Sequence, residues 1–121
     1  MRQKREDIDH LRDILDAAQK AEGFIAGMEM AAFERDAKTS FAVIRALEII
    51  REATKHIPAS VRQRYPEVPW RAIAGMRDRG IHDYLGINLQ RVYETVQQDV
   101  PSLRSAIVRI LAHLEQGGRH T

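Results

Sequence analysis

Phe41-Ala42-Val43-Ile44-Arg45-Ala46-Leu47-Glu48-Ile49-Ile50-Arg51-Glu52-Ala53 is the stretch that decides the fold class. Its apolar positions continue a pattern that starts near Glu29 and runs through Phe33, Ala37, Phe41, Ile44, Leu47 and Ile50 to about Lys55. Spacings of three and four residues place such side chains on one face of a helix, whereas a half-buried strand would alternate every second residue. Between Phe41 and Ala53 the apolar face widens to take in Ala42, Val43, Ala46 and Ile49, which predicts that this half is the most buried helix and the central one.

Upstream, Ile8, Leu11, Leu15, Ala18 and Ile25 recur at compatible spacings, with Asp9, Arg12, Asp13, Asp16 and Lys20 between them. An amphipathic helix from about Asp7 to Ile25 is expected, fraying at Gly23 and Gly27. Downstream, Pro58, Pro66 and Pro69 punctuate the chain, each removing an amide donor and disfavouring helix in the residue before it. Ala59 to Arg64 has room for one short turn, and a new helix starts at Trp70, just after Pro69. Beyond Gly86, Leu89, Val92 and Val96 form a further stripe. Asp99 and Pro101 signal a restart, and Val100, Leu103, Ile107, Ile110 and Leu114 carry the last helix to Gly117-Gly118. No run alternates convincingly, so no strand is assigned. The expected architecture is all-α, an up-and-down bundle of four to five helices forming one domain over residues 1–116, with a flexible tail at 117–121.

At 121 residues one core suffices. The absence of cysteine excludes disulfides, thiolate metal sites and cysteine nucleophiles, and fits a reducing, cytoplasmic setting. The charged start, Met1 to Asp7, is not followed by an apolar run of signal-peptide or membrane-span length. The formal charge of +2 names no partner, because an electrostatic footprint depends on clustering rather than totals. Arginines do cluster, at Arg62 and Arg64 and again at Arg71, Arg77 and Arg79.

The second cluster runs into the densest chemistry of the chain, Arg77-Asp78-Arg79-Gly80-Ile81-His82-Asp83-Tyr84. In a regular helix Arg77 and His82 would stand about 140° apart around the axis. Gly80, between them, is the easiest place for a bulge or break that lets both face one cleft. Asp78 and His82 are four apart and share a helical face, so the carboxylate can orient the imidazole. An arginine fork matches phosphate oxygens, and histidine serves as acid or base near neutrality. RNA brings its own nucleophile, the 2′-hydroxyl beside each phosphate, so no cofactor or metal is called for. One motif histidine per chain makes a two-histidine mechanism depend on a symmetric homodimer.

The plainer alternative is that such a histidine, beside arginines on a helix, belongs to a solvated polar face or an interface. His10, His56, His113 and His120 are read that way and assigned no role. Glu48 is either a buried carboxylate paired to an arginine or the exposed flank of its helix, and Trp70 and Met76 are read as core anchors. There is no glycine-rich phosphate loop, no paired-histidine zinc spacing and no nucleophile elbow.

Arg77-x-x-x-x-His82-x-Tyr84 is similar to the signature of HepT-like proteins of the HEPN superfamily, the toxin half of HepT/MntA toxin–antitoxin systems. The resemblance extends to Ile44–Ala53, which looks like the family's central helix, and to Pro69–Asp78, its approach to the motif. Val92-Tyr93 through Val100-Pro101-Ser102-Leu103 is also similar. The resemblance implies an all-α HEPN-like fold, a homodimer with paired motifs in a cleft and metal-independent cleavage of an RNA substrate. It makes Arg77 and His82 the catalytic pair and Asp78 the residue that orients His82, while the clustered Arg79 and Arg71 are read as supporting phosphate contacts. Tyr84 would be the acceptor for AMP placed by an MntA-like nucleotidyltransferase antitoxin. The family often has asparagine after the motif arginine, where this chain has Asp78. The alternative, from a different class, is a non-catalytic helical module that binds a nucleotide or the transferase through the same cleft.

Overall fold

A computed structural model of the chain describes residues 2–71, 73 and 88–119, with side chains inside helices described to 116. Helix α1 spans Arg2–Ile25, α2 Met30–Arg35, α3 Ala37–Lys55 and α4 Ala59–Arg64. Trp70, Arg71 and Ile73 are helical, and the C-terminal part consists of α5 (Leu89–Glu94), a π-helical turn (Thr95–Asp99) and α6 (Val100–Arg119). Among the described residues there is no strand, so the all-α expectation holds.

Helix α1 starts five residues earlier than the apolar stripe alone suggests, and it buries Leu11, Ile14, Ala17, Ala18, Ala21 and Ile25. Three of those six are alanines, which let neighbouring backbones approach. The helix packs antiparallel to α3 on one side and to α6 on the other. Pairs at the two ends fix those directions: His10 lies against His56, Arg12 reaches Glu115, and Arg104 reaches Glu22. Among the described residues the middle position therefore belongs to α1 rather than to the Phe41–Ala53 helix, although α3 does bury Val43, Ala46, Leu47, Ile50 and Ala53. Gly27, in the turn that follows α1, has a left-handed φ of 73°, a conformation that favours glycine.

The single helix expected from Glu29 to Lys55 is two. Asp36 leaves helical geometry at φ −104°, ψ 90° and caps α3, accepting from the Thr39 amide at 3.0 Å and from the Thr39 hydroxyl at 2.8 Å. An aspartate able to satisfy an orphan amide stabilises a helix start in place of a continuous helix. Because α3 begins afresh there, Phe41 falls outside the buried stripe and is 55% exposed.

The restart expected at Asp99 and Pro101 is likewise different. The helix runs without a gap from Leu89 to Arg119, past Gly117-Gly118, where the sequence pattern ends it. Pro101 has no amide to give to the residue four before it, and the hydrogen-bond register shifts just upstream, where Val100 donates to Thr95 in a five-residue π step. Tyr93, one turn earlier, donates its hydroxyl to the Met28 carbonyl at 2.5 Å and accepts from Gln97 Nε2 at 2.9 Å, tying this turn to the α1–α2 connection.

Candidate functional site

Arg77, Asp78, Arg79, Gly80, His82 and Tyr84 lie outside the described residues, as do Met76 and His120. What the structure gives is how the chain is held on either side of that stretch. On the upstream side α4 occupies Ala59–Arg64, as the proline spacing predicts, and Arg62 Nε donates to the Ile57 carbonyl at 2.8 Å to hold its entry. Tyr65 leaves helical geometry, and a compact turn follows through Pro66 and Pro69. Within it the Val68 amide donates to the Tyr65 carbonyl, the Trp70 amide donates to the Val68 carbonyl at 2.8 Å, and the Trp70 indole N–H donates to the Tyr65 carbonyl at 3.0 Å.

The next helix opens with the Ile73 amide donating to the Pro69 carbonyl at 3.0 Å. Trp70 and Ile73 are 8% and 5% exposed, so the core-anchor reading of Trp70 holds. Arg71, between them, is exposed. It is the one proposed phosphate contact among the described residues. In sequence, Arg77 follows Ile73 by four residues. On the downstream side Asn88, four residues after Tyr84, accepts from the Arg91 amide at 3.1 Å and caps α5, whose Tyr93 is bolted to Met28 as described above.

Three polar groupings outside the motif are also defined. Glu48 is neither fully buried nor free: it is 33% exposed at the side chain, with Arg45 Nη1 at 3.5 Å. His10 and His56 stack with ring centroids 4.6 Å apart. Tyr65 and His113 meet edge to face, with the phenol oxygen hydrogen-bonded to Nδ1 of His113. Arg64 lies over the Tyr65 ring at 5.6 Å, and Arg109, one turn before His113 on α6, has its guanidinium 3.7 Å from Glu67. Sequence reasoning assigned His113 nothing. Its partner is 48 residues away, and no local spacing connects the two.

Residues 14–110 match the family model described as Ribonuclease HepT-like. The chain is 44% identical over 107 residues to a protein of Thermococcus cleftensis named "Probable ribonuclease HepT", an alignment covering 88% of this chain and 97% of that one. Two proteins of Methanocaldococcus jannaschii, each named as a "putative RNase", are 36% and 37% identical, with 87% and 88% of this chain and 87% and 91% of theirs aligned. No solved structure matches. With the family model spanning most of the chain and these relatives aligned over nearly their full lengths, the chain belongs to the HepT-like ribonuclease family.

Proposed function

We propose that this protein is the ribonuclease toxin of a toxin–antitoxin pair, cutting RNA with Arg77 and His82 and silenced by AMP on Tyr84. The observation that carries the reading is the Arg77-x-x-x-x-His82-x-Tyr84 motif standing in a chain of the HepT-like ribonuclease family. His82 accepts the proton of an RNA 2′-hydroxyl as its oxygen attacks the adjacent phosphorus. The 5′-oxygen of the following nucleotide leaves with a proton supplied by a second imidazole, and the products are a 2′,3′-cyclic phosphate and a free 5′-hydroxyl. In a homodimer that second imidazole is His82 of the other subunit. Arg77 offers its fork to the phosphate oxygens as charge builds, with Arg79 and Arg71 extending the contact, and Asp78 orients His82.

Control rests on Tyr84. Its phenolic oxygen attacks the α-phosphorus of ATP on an MntA-like nucleotidyltransferase, pyrophosphate leaves, and the phenol proton is released. The AMP plants negative charge and bulk where an RNA phosphate has to sit. Both partners act in the cytoplasm; among the described residues no helix is long and apolar enough to cross a membrane.

Incubation of the purified protein with RNA in the presence of a chelator tests the catalytic reading. The unmodified protein should cleave, and His82→Ala and Arg77→Ala should each lower the rate by about 10²- to 10⁴-fold with folding intact. Equal cleavage by both variants and the unmodified protein would sink the assignment, and leave the non-catalytic binding module as the better description.

A further inference from the structure

Tyr65, at the end of α4, and His113, two turns from the end of α6, form a surface outside the motif that is built almost wholly from hydrogen-bond donors. Tyr65 is half-buried and fixed from behind by its own carbonyl, which takes the Trp70 indole N–H. His113 is exposed, and its Nδ1 is engaged by the Tyr65 hydroxyl. When the phenol donates, a neutral His113 carries its proton on Nε2; a protonated ring, whose Nδ1–H donates to the phenol oxygen instead, carries a proton there as well. The outward edge of the ring is then a donor in both charge states.

Arginines flank this pair on both elements. Arg64 is exposed and lies over the Tyr65 ring, and Arg109 shares a helix face with His113, four residues away. Among the described residues the carboxylate paired with Arg109 is Glu67, half exposed and 3.7 Å away, with Arg109 63% exposed at the side chain. A pair so exposed and so long neutralises little, so Arg109 keeps most of its attraction for an anion. An aromatic face, two guanidinium groups and an imidazole N–H, with the acid paired to Arg109 only loosely held, match a flexible chain of phosphates better than a protein surface of mixed charge.

We infer that Arg64, Tyr65, Arg109 and His113 form a docking subsite for the phosphodiester backbone of single-stranded RNA, outside the cleavage motif. The inference rests on the ribonuclease reading and deepens it. Its place in the chain suits the role: Tyr65 is hydrogen-bonded to Trp70, the next residue is exposed Arg71, and Arg77 follows six positions later in sequence.

The test measures binding apart from cleavage. A fluorescein-labelled 2′-O-methyl oligoribonucleotide, which has no free 2′-hydroxyl and cannot be cut, is titrated with the full-length protein at several salt concentrations. The expected result for Arg64→Gln with Arg109→Gln is a roughly tenfold rise in Kd at low salt and a salt slope shallower by about 1.4, or about 0.7 for each lost phosphate contact. His113→Ala should weaken binding by a smaller factor, and Arg109→Lys should restore most of the affinity. Circular dichroism checks that these surface changes leave the fold intact. Unchanged Kd and slope in the double variant overturn the subsite, as does a loss confined to binding of a protein partner. If the unmodified protein cuts no RNA, the ribonuclease reading fails instead, and the binding comparison still decides whether this surface holds the strand.

Discussion

The indole N–H of Trp70 donates to the carbonyl oxygen of Tyr65 at 3.0 Å, across a turn that contains both Pro66 and Pro69. Neither proline has an amide to give, so this side-chain bond adds to the two backbone bonds of the turn, Val68 to Tyr65 and Trp70 to Val68. It locks the helix start at Trp70, seven residues before Arg77 in sequence. Trp70→Phe keeps most of the apolar packing and removes the bond. It should lower unfolding free energy by about 1 kcal/mol in urea titrations, and should reduce RNA cleavage at temperatures where the variant is still folded. Full activity in the folded variant would show that the anchor does not position the motif.

Tyr93 is the equivalent fastening on the downstream side, and it is more deeply buried. Its hydroxyl satisfies the Met28 carbonyl and accepts from Gln97, and its ring lies 5.5 Å from Phe33. Tyr93→Phe preserves the ring contact and leaves the Met28 carbonyl without its donor. Met28 is half-buried, so the expected cost is about 0.5–1.5 kcal/mol, the net worth of a typical hydrogen bond. A denaturation midpoint equal to that of the unmodified protein would mean that another donor replaces the phenol.

Asp36 gives the fold a pH dependence with a definite sign. Its carboxylate accepts from the Thr39 amide and the Thr39 hydroxyl, which hold its pKa below the ordinary 3.8. A carboxyl that is more acidic folded than unfolded stabilises fully above the unfolded value, and that contribution fades as pH falls through the lower folded value. The stabilisation is therefore whole near neutrality and is lost below about pH 4. Asp36→Asn retains an acceptor for the cap but cannot titrate, so its stability should fall less steeply over that acid range. Matching acid profiles for the two proteins would refute the assignment.

The α3 start shows what sequence periodicity reads well and what it misses. The three-and-four pattern from Phe33 to Ile50 is unbroken across Asp36, and it correctly yields helix on both sides. A cap acts through one side chain on one amide and leaves the periodicity nearly intact, so the break is invisible to the pattern and the exposure of Phe41 goes with it. Pro101 is the opposite case. It reads as a stop, yet the π turn at Thr95–Asp99 shifts the hydrogen-bond register just ahead of it, and the helix continues. For the site, the Trp70 anchor is legible because an aromatic after proline at a helix start has few other uses. The Tyr65–His113 pair is not, because it depends on how α4 and α6 are brought together.

The three tyrosines of the chain offer a direct check on where AMP is placed. Tyr93 is 6% exposed, and its oxygen already donates to one group and accepts from another, so it is a poor nucleophile toward ATP. Tyr65 is the serious competitor, since it is half-exposed and its hydroxyl is bonded to an imidazole that can take its proton. With the partner transferase and ATP, peptide mapping should find one or more AMP units on the peptide that carries Tyr84. Tyr84→Phe should abolish the mass increase and leave RNA cleavage running in the presence of the partner, whereas Tyr65→Phe should be modified and silenced like the unmodified protein. AMP recovered on Tyr65 alone would move the control point from the motif to the α4–α6 surface. Inhibition would then have to act by blocking the strand where it docks, with the cleaving groups left uncovered.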